Sequence, residues 1–264
     1  MKTPRSESRS ISRHCVYGIN GCREILGELR IVVHQVELLD GSRPARDPQI
    51  RQFLERRGLQ PRLHPKEFFQ KQFSEARTQG IVVHFKGPVT QPLPDFQNLE
   101  GDICLLVLDH LTDPQNVGQI IRTAEGAGVS GIVIPKFRSS GLTDVVLQVS
   151  QGAFVHLPLY EISNIRNFLL RLQKEGFWVS ALENSIEAKP WYDLDYSGKV
   201  ILVVGSEGQG IQPLVLRTCD FHATIPMAGR IDSLNVTAAV SALLFERRRQ
   251  LNCRDTQNQS STDN

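Results

Sequence analysis

The sequence predicts an α/β protein built from a mostly parallel sheet covered by helices and a second, smaller α/β domain. Beyond about residue 102, short and nearly continuous apolar runs alternate with segments of helical periodicity, a pattern typical of strands buried on both faces. A polar stretch with three prolines precedes this part and interrupts regular structure. A chain of 264 residues is long enough for two unequal domains.

The N-terminal part alternates helices and strands on a smaller scale. Its apolar spacing predicts helices at about 17–29, 47–57 and 65–76, and strands at Ile31–Glu37 and Gly80–Phe85. We therefore expect a flexible terminus at 1–13, a small α/β domain at 14–86 and a linker at 87–101, which contains Pro88, Pro92 and Pro94.

The C-terminal part is expected to form the parallel sheet over residues 102–251. Its predicted strands are Ile103–Leu108, Gly131–Pro135, Val155–Leu159, Phe177–Leu182, Val200–Val204 and Phe221–Ile225. Its predicted helices lie at about 116–127, 143–151, 162–175, 213–218 and 234–250. The polar tail 252–264 contains no aromatic or aliphatic residue and is expected to be disordered. Ligands of such a sheet bind at the loops that follow the strands.

Composition excludes several classes of protein. No stretch approaches the roughly 18 apolar residues of a membrane helix, so no membrane partner is expected. The basic, serine-rich start lacks an apolar core, which excludes a secretory signal and favours a frayed terminus over an organelle transit peptide. Five cysteines without a C-x-x-C pair argue against a disulfide scaffold and against a cysteine zinc site, and no metal is expected. We therefore expect a reducing, cytoplasmic location.

Charge is distributed unevenly along the chain. Residues 1–100 carry 16 Lys and Arg against 11 Asp and Glu, whereas residues 101–264 carry 14 against 17. A basic N-terminal part is typical of proteins with a polyanionic partner such as nucleic acid. Charge alone, however, favours an ordinary solvated surface.

One glycine pattern is misleading. The segment Gly126–Gly131 matches G-x-G-x-x-G, but it closes a predicted helix and opens a predicted strand. A dinucleotide site requires the opposite order, so we do not expect NAD(P) to bind here. The chain also lacks the G-x-x-x-x-G-K-[ST], G-x-S-x-G and H-E-x-x-H motifs, which excludes a P-loop and two further hydrolytic classes.

Three other segments place polar residues directly after predicted strands. Asn116 and Arg122 follow the predicted strand Ile103–Leu108. They form either a ligand-binding pair or an ordinary helix cap with a surface arginine. Glu207 lies among three glycines in Gly-Ser-Glu-Gly-Gln-Gly, where glycine allows the backbone to approach a ligand closely. Ile225–Ala239 passes through a polar loop into a helix of small residues, with Ser233 as a candidate cap.

In order, spacing and residue type, these three segments resemble the SpoU/TrmH group of the SPOUT methyltransferases. Their patterns are N-x-x-x-x-x-R, G-S-E-G-x-G and I-P-M-x-G-x-x-x-S-L-N-V, and the resemblance covers about 103–250. The part from Tyr17 to Val82 is similar to the L30e-like substrate-binding domain of this group. The subgroup that the chain resembles most is the bacterial 23S rRNA guanosine 2′-O-methyltransferases.

The resemblance implies methyl transfer from S-adenosylmethionine to a ribose 2′-hydroxyl of RNA, here rRNA. It also implies a deep trefoil knot in the C-terminal domain and a homodimer in which both subunits shape each site. Carried over by position, the cofactor-binding residues are Gly205, Ile225, Met227 and Leu234. The functional side chains carried over are Arg122, Asn116, Glu207, Ser233 and Asn235.

Two positions depart from the pattern of the group. Many members have His-Gln-Gly where this chain has Thr78-Gln79-Gly80, which weakens the expected RNA contact of the N-terminal domain. Many also have Gly-Ala-x-Glu where this chain has Gly152-Ala153-Phe154-Val155, so a carboxylate is missing there. Neither departure touches the three motifs.

A ribose hydroxyl is a poor nucleophile at neutral pH, so the site must orient it and stabilise its developing charge. Accounts of the family cast the residue matching Arg122 as a general base, but a guanidinium stays protonated. We prefer a charged Arg122 that stabilises the alkoxide or grips a phosphate, with Asn116 orienting the ribose or Arg122. Lys136 and Arg138, which flank Phe137 after a strand, are expected either to bind RNA or to belong to an ordinary polar loop.

Besides the 23S rRNA guanosine enzyme, three alternatives stay open at this point. The chain is either the rRNA enzyme, a tRNA ribose methyltransferase, an rRNA methyltransferase that confers antibiotic resistance, or a non-catalytic RNA-binding or ribosome-assembly factor. The L30e-like domain favours rRNA over tRNA. The five intact functional side chains argue against a non-catalytic role.

Overall fold

A computed structural model describes residues 13–74, 76–185 and 187–262. Contacts divide the chain into two units, Met1–Val89 and Thr90–Asn264. The division falls inside the predicted linker, but the second half of that stretch is packed, because Phe96 is buried in the core of the C-terminal unit. The predicted flexible terminus lies outside the described residues except for Arg13, which begins the first strand.

In the described part of the N-terminal unit, four strands form one sheet and four helices accompany it. Its elements are β1 (Arg13–Tyr17), α1 (Ile19–Gly27), β2 (Val32–Leu39), α2 (Arg43–Arg46), α3 (Pro48–Arg56), β3 (Arg62–His64), α4 (Lys66–Gln72) and β4 (Ile81–Lys86). The strand order is β1-β4-β2-β3, and only β2 and β3 are parallel. All five predicted elements are present. Strands β1 and β3 were not predicted, because they are only five and three residues long and each buries at most one side chain.

Arg57 joins α1 to the end of α3. Its guanidinium donates to the carbonyl oxygens of Leu26 at 2.6 Å, Ile31 at 2.9 Å and Ile25 at 3.0 Å, and it also bonds that of Glu28. The last carbonyls of a helix have no partner within the helix, and a planar guanidinium can satisfy several of them at once.

Replacing Arg57 with alanine is expected to lower the free energy of unfolding by about 2 kcal/mol, because hydrogen bonds to charged groups are among the stronger ones. Urea denaturation of the full chain measures this. Arg56→Ala, which removes the exposed neighbouring arginine, should change the free energy by no more than about 0.5 kcal/mol. Equal effects of the two substitutions would contradict the role given to Arg57.

The C-terminal unit is a seven-stranded parallel sheet. Its elements are β5 (Cys104–Asp109), α5 (Pro114–Gly126), β6 (Gly131–Pro135), α6 (Asp144–Val149), β7 (Leu159–Ile162), α7 (Ile165–Lys174), β8 (Trp178–Leu182), β9 (Lys189–Pro190), β10 (Val200–Gly205), α8 (Pro213–Leu216), β11 (Phe221–Thr224) and α9 (Val236–Thr262). The strand order is β7-β6-β5-β10-β8-β11-β9, with every pair parallel. The predicted parallel sheet is confirmed, and the knot implied by the resemblance stays a prediction.

Two predictions in this unit need correction. The strand predicted at Val155–Leu159 is wrong: Ala153–Val155 is a 3₁₀ turn buried by packing, and the strand begins at Leu159. Disorder was expected from Asn252, but α9 continues to Thr262. The segment from Val236 to Thr262 contains neither glycine nor proline, so nothing in the sequence ends the helix earlier.

The carboxyl ends of β5 and β10 mark the position in the sheet where a ligand is expected. From β5 the chain adds β6 and β7 on one side, whereas β10 pairs with β5 on the other. The carboxyl ends of two neighbouring strands whose connections diverge form a crevice, and ligands of open α/β sheets bind there. The G-x-G-x-x-G segment lies elsewhere, because Gly126 ends α5 and Gly131 begins β6. Among the described helices, none has the length and apolar character needed to cross a membrane.

Candidate active site

Three polar side chains from distant parts of the sequence meet at this crevice. Asn116 lies in the first turn of α5, Glu207 follows β10, and Asn235 directly precedes α9. Asn116 Nδ2 donates to Glu207 Oε1 at 3.2 Å, and Asn235 Nδ2 donates to the same oxygen at 2.6 Å. Asn235 Nδ2 also lies 3.2 Å from Asn116 Oδ1. We call these three residues the amide–carboxylate cluster.

Glu207 is the shared acceptor of the cluster. Besides the two amides, its Oε1 accepts the backbone N–H of Val236 at 3.4 Å, which belongs to the first turn of α9. A negative charge at the amino end of a helix is favourable, because unpaired N–H groups point outward there. Asn235 caps the same helix, since its Oδ1 accepts the N–H of Thr237 at 2.9 Å.

Gly205 allows the loop of Glu207 to fold back against the end of β10. A Cβ atom at Gly205 would lie 2.1 Å from the carbonyl carbon of Gly210 and 2.3 Å from the backbone nitrogen of Ile211. No side chain tolerates such distances to backbone atoms, so only glycine fits. The loop is closed by a hydrogen bond from Gly210 N–H to the Ser206 carbonyl at 2.9 Å.

A buried carboxylate connects the loops after β5 and β10. Asp109, the last residue of β5, is fully buried, accepts the N–H of Gln212 at 2.7 Å, and is hydrogen-bonded to His110. Buried charges are costly unless they are hydrogen-bonded, so these contacts hold the two loops in a fixed arrangement.

A cleft of about 880 Å³ opens beside the cluster. It is lined by the loop after β10, by the segment before α9, and by the residues that follow β8. Three carboxylates, those of Glu183, Glu207 and Asp232, are among its lining residues, and no lysine, arginine or histidine lines it within the part of the chain that is described. The lining therefore suits a cationic ligand better than one that carries phosphates.

The structure brings together most, but not all, of the residues that the sequence singled out. The cleft is lined by Gly205, Glu207, Ile225, Met227, Ser233, Leu234 and Asn235, and Asn116 reaches it through Glu207. Arg122 is exposed and makes no hydrogen bond or ion pair with any described residue. Six residues beyond Asn116 on α5, it is turned about 240° around the helix axis from it. Lys136 and Arg138 are also exposed and do not line the cleft.

Sequence reasoning missed the residues that follow β8. Asn184 lines the cleft, donates to the Asp232 carbonyl at 3.0 Å, and accepts from Thr224 Oγ1 at 3.4 Å. It thereby supports the loop that leads to α9. The signal was available, because strand β8 was predicted and loops at strand carboxyl ends are where ligands bind.

No cysteine of the described residues lines the cleft. All five cysteines are free thiols. Burial raises the pKa of Cys104 to about 11, and burial together with the carboxylates of Asp220, Asp109 and Glu183 raises that of Cys219 to about 12. Such thiols stay protonated at neutral pH and are poor nucleophiles. Among the described residues, no His, Cys, Asp and Glu side chains are grouped so as to hold a metal ion.

A known protein family matches most of the C-terminal unit. The model of the SpoU rRNA Methylase family matches residues 104–245, which is more than half of the chain. A Staphylococcus aureus protein assigned to the TrmH family of tRNA/rRNA methyltransferases is 42% identical over 147 residues. The matched segment covers 56% of this chain and 59% of that relative, so it spans about three fifths of the relative's length.

Two solved structures share the fold over both units. The AdoMet-bound rRNA methyltransferase from Sinorhizobium meliloti aligns with a TM-score of 0.74 at 24% identity, covering 90% of this chain and 88% of that one. The SpoU methyltransferase AviRb from Streptomyces viridochromogenes aligns with a TM-score of 0.75 at 19% identity, covering 90% and 89%. With the matching family model and the amide–carboxylate cluster at the expected strand ends, the chain belongs to the SpoU rRNA methylase family.

Proposed function

We propose that the protein transfers a methyl group from S-adenosylmethionine to the 2′-hydroxyl of a guanosine in 23S rRNA, in the cytoplasm and as a homodimer. The observation that carries this proposal is the amide–carboxylate cluster at the mouth of an anionic cleft. The cluster supplies hydrogen-bonding groups for a ribose, and the cleft supplies a site for a cationic cofactor.

The cleft fits S-adenosylmethionine. Its volume of about 880 Å³ is within the usual range for small-molecule sites. Gly205 lets the backbone of its loop approach a ligand without a Cβ in the way. Ile225, Met227 and Leu234 offer apolar surface for the adenine ring, and the carboxylates balance the positive sulfur. When bound, the cofactor supplies an electrophilic methyl group on a sulfonium.

The cluster orients the ribose. Glu207 Oε1 is committed to Asn116, Asn235 and Val236, which leaves Oε2 as an acceptor for the 2′-hydroxyl proton. Asn116 and Asn235, held by this carboxylate, present fixed amide groups to the other ribose oxygens. Holding the nucleophile in line with the methyl group lowers the activation barrier by several kcal/mol. Ser233, which also lines the cleft, binds the substrate beside them.

Glu207→Ala is expected to reduce methyl transfer about 100-fold, because two amides and one N–H lose their shared acceptor. Glu207→Gln keeps one acceptor oxygen for the amides but puts an N–H₂ donor in place of Oε2, which cannot accept the hydroxyl proton, so a reduction of similar size is expected. Initial rates with saturating cofactor measure both. Glu125→Gln, which changes an exposed glutamate on α5, is the matched control and should leave the rate unchanged. Equal rates for Glu207→Ala and the wild type would show that the amide–carboxylate cluster does not contribute to methyl transfer.

Arg122 completes the site of the partner subunit in this proposal. It lies on the helix that carries Asn116 but outside the cluster of its own chain, and its charge has no described partner. Such an arginine is free to reach the cleft of a second copy, where it stabilises the alkoxide or grips a phosphate.

A complementation experiment tests this arrangement. Chains with Arg122→Ala and chains with Glu207→Ala, carrying different affinity tags, are co-expressed and the mixed dimer is purified through both tags. If Arg122 acts in the partner's site, one of the two sites is intact and about half of the wild-type activity returns. Activity no higher than that of either variant alone would place Arg122 in its own chain's site, and no mixed species would refute the dimer.

Transfer of labelled methyl from S-adenosylmethionine to total bacterial rRNA and tRNA tests the reaction itself. Digestion of the product then locates any 2′-O-methyl nucleotide. Label in a 23S rRNA guanosine is the expected result. Label only in tRNA would keep the chemistry and replace the substrate. If no label enters naked RNA or ribosomal precursor particles although the cofactor binds, the protein is a non-catalytic RNA-binding factor.

A further inference from the structure

The loop after β6 exposes an aromatic ring between two cations. Phe137 is 71% exposed, and Lys136 and Arg138 on either side are exposed as well. A single exposed apolar side chain is ordinary on a protein surface. An exposed ring between two cations, on a fixed loop at the carboxyl end of β6, is unusual.

Hydrogen bonds on both sides of Phe137 fix this loop. Lys136 N–H donates to the Ile162 carbonyl at 2.9 Å, and Ser139 Oγ donates to the Pro135 carbonyl at 2.8 Å. Arg138 adopts a φ of 56°, in the left-handed region that a non-glycine residue rarely enters. With hydrogen bonds on both sides and Arg138 in that region, the backbone presents Phe137 to solvent in a defined place.

The loop lies at the same edge of the sheet as the candidate active site. Strand β6 is parallel to β5 and adjacent to it, so both carboxyl ends meet that edge. Ser140 N–H donates to the Leu111 carbonyl at 2.9 Å, which ties the loop to the segment that leads to Asn116. Since β6 is two strands away from β10, the carboxyl end of β6 lies about 10 Å from that of β10, which leads into the loop of Glu207, at the usual strand spacing.

We propose that Phe137 is a stacking platform for an unpaired RNA base beside the methylated nucleotide, with Lys136 and Arg138 holding the flanking phosphates. This inference rests on the proposed function. Proteins bind single-stranded RNA by stacking bases on aromatic rings while cations follow the backbone, and stacking accepts any base.

The test measures binding of a short, mixed-sequence, fluorescently labelled single-stranded RNA by fluorescence anisotropy. Phe137→Ala is expected to weaken binding about 5- to 100-fold, and Phe137→Tyr to stay within about threefold of wild type. Trp178→Ala is the matched control, because Trp178 is 59% exposed but begins β8 at the opposite edge of the sheet. It should leave RNA affinity unchanged.

Salt dependence separates the ring from the cations. Lys136→Ala and Arg138→Ala should each reduce the slope of log K against log salt by about 0.7, the value for one phosphate contact on a single strand. Phe137→Ala should leave that slope unchanged. The affinity for S-adenosylmethionine should be the same in all variants.

Three results distinguish the possible failures. If wild type binds RNA and Phe137→Ala binds within twofold of it, the stacking platform is refuted and the proposed function stands. If Phe137→Ala instead changes the oligomeric state on size-exclusion chromatography, the ring belongs to an interface between copies and the inference is wrong. If wild type binds S-adenosylmethionine but binds neither this RNA nor ribosomal precursor particles, the proposed function fails and this inference fails with it.

Discussion

Replacing Arg122 with alanine is expected to reduce methyl transfer by about 10²- to 10³-fold, the usual effect of removing a group that stabilises charge in a transition state. The fold should be unaffected, because the side chain is exposed and contributes no hydrogen bond or ion pair to the described residues. Helix α5 is anchored by other residues, among them Ile120 and Ile121, which are fully buried.

Steady-state kinetics distinguish the two roles proposed for Arg122. A loss confined to kcat indicates that the guanidinium stabilises developing charge, whereas a rise in KM indicates that it grips a phosphate in the bound substrate. Arg122→Lys keeps the charge but not the planar fork, so it should restore part of the activity in the first case and little in a bidentate phosphate contact. Arg166→Ala, which removes an exposed arginine on α7, is the matched control. Activity within twofold of wild type in Arg122→Ala would contradict both roles.

Gly205→Ala is expected to weaken S-adenosylmethionine binding by at least about 100-fold, equivalent to about 2.7 kcal/mol. The new Cβ would lie 2.1 Å from the carbonyl carbon of Gly210, so the loop that carries Glu207 must move away from β10. Because this loop lines the cleft and holds the shared acceptor of the cluster, its displacement should damage cofactor binding and ribose positioning together.

Isothermal titration calorimetry measures the loss, and a thermal unfolding curve shows whether the rest of the chain stays folded. Gly126→Ala is the matched control: Gly126 lies in the last turn of α5, and a Cβ there meets nothing within 4 Å. That substitution should leave affinity unchanged. Unchanged affinity in Gly205→Ala as well would show that the close approach to Gly210 is not needed for binding.

Most strands of the large sheet could be predicted, because they are buried on both faces and appear as apolar runs bounded by polar segments. The strand predicted at Val155–Leu159 failed for the same reason, since the buried 3₁₀ turn at Ala153–Val155 is as apolar as a strand. Strand β9, only two residues long, is defined by its pairing with β11 and leaves no pattern of its own. Elements that depend on tertiary contacts rather than on local periodicity cannot be predicted from a single sequence.

In the candidate site, too, the features that follow from local sequence could be predicted and those that depend on tertiary contacts could not. Asn116, Glu207 and Asn235 could be singled out because each follows a predicted strand, and a parallel sheet brings such positions to one edge. Their mutual hydrogen bonds span 91, 28 and 119 positions of the sequence, so local patterns hold no information about them. The contact between Asp109 and Gln212, which fixes two of the loops, was missed because neither residue forms part of a motif.

The cap that Asn235 forms on α9 offers a way to observe ligand binding. The same side chain that bonds Glu207 also accepts the N–H of Thr237, and its carbonyl accepts that of Ala239. A substrate that binds the cluster as proposed holds Asn235 in place, so the protection of these amides against hydrogen–deuterium exchange is expected to rise when the site is filled. The start of α9 is therefore a built-in reporter of site occupancy, readable by mass spectrometry without a label on either ligand.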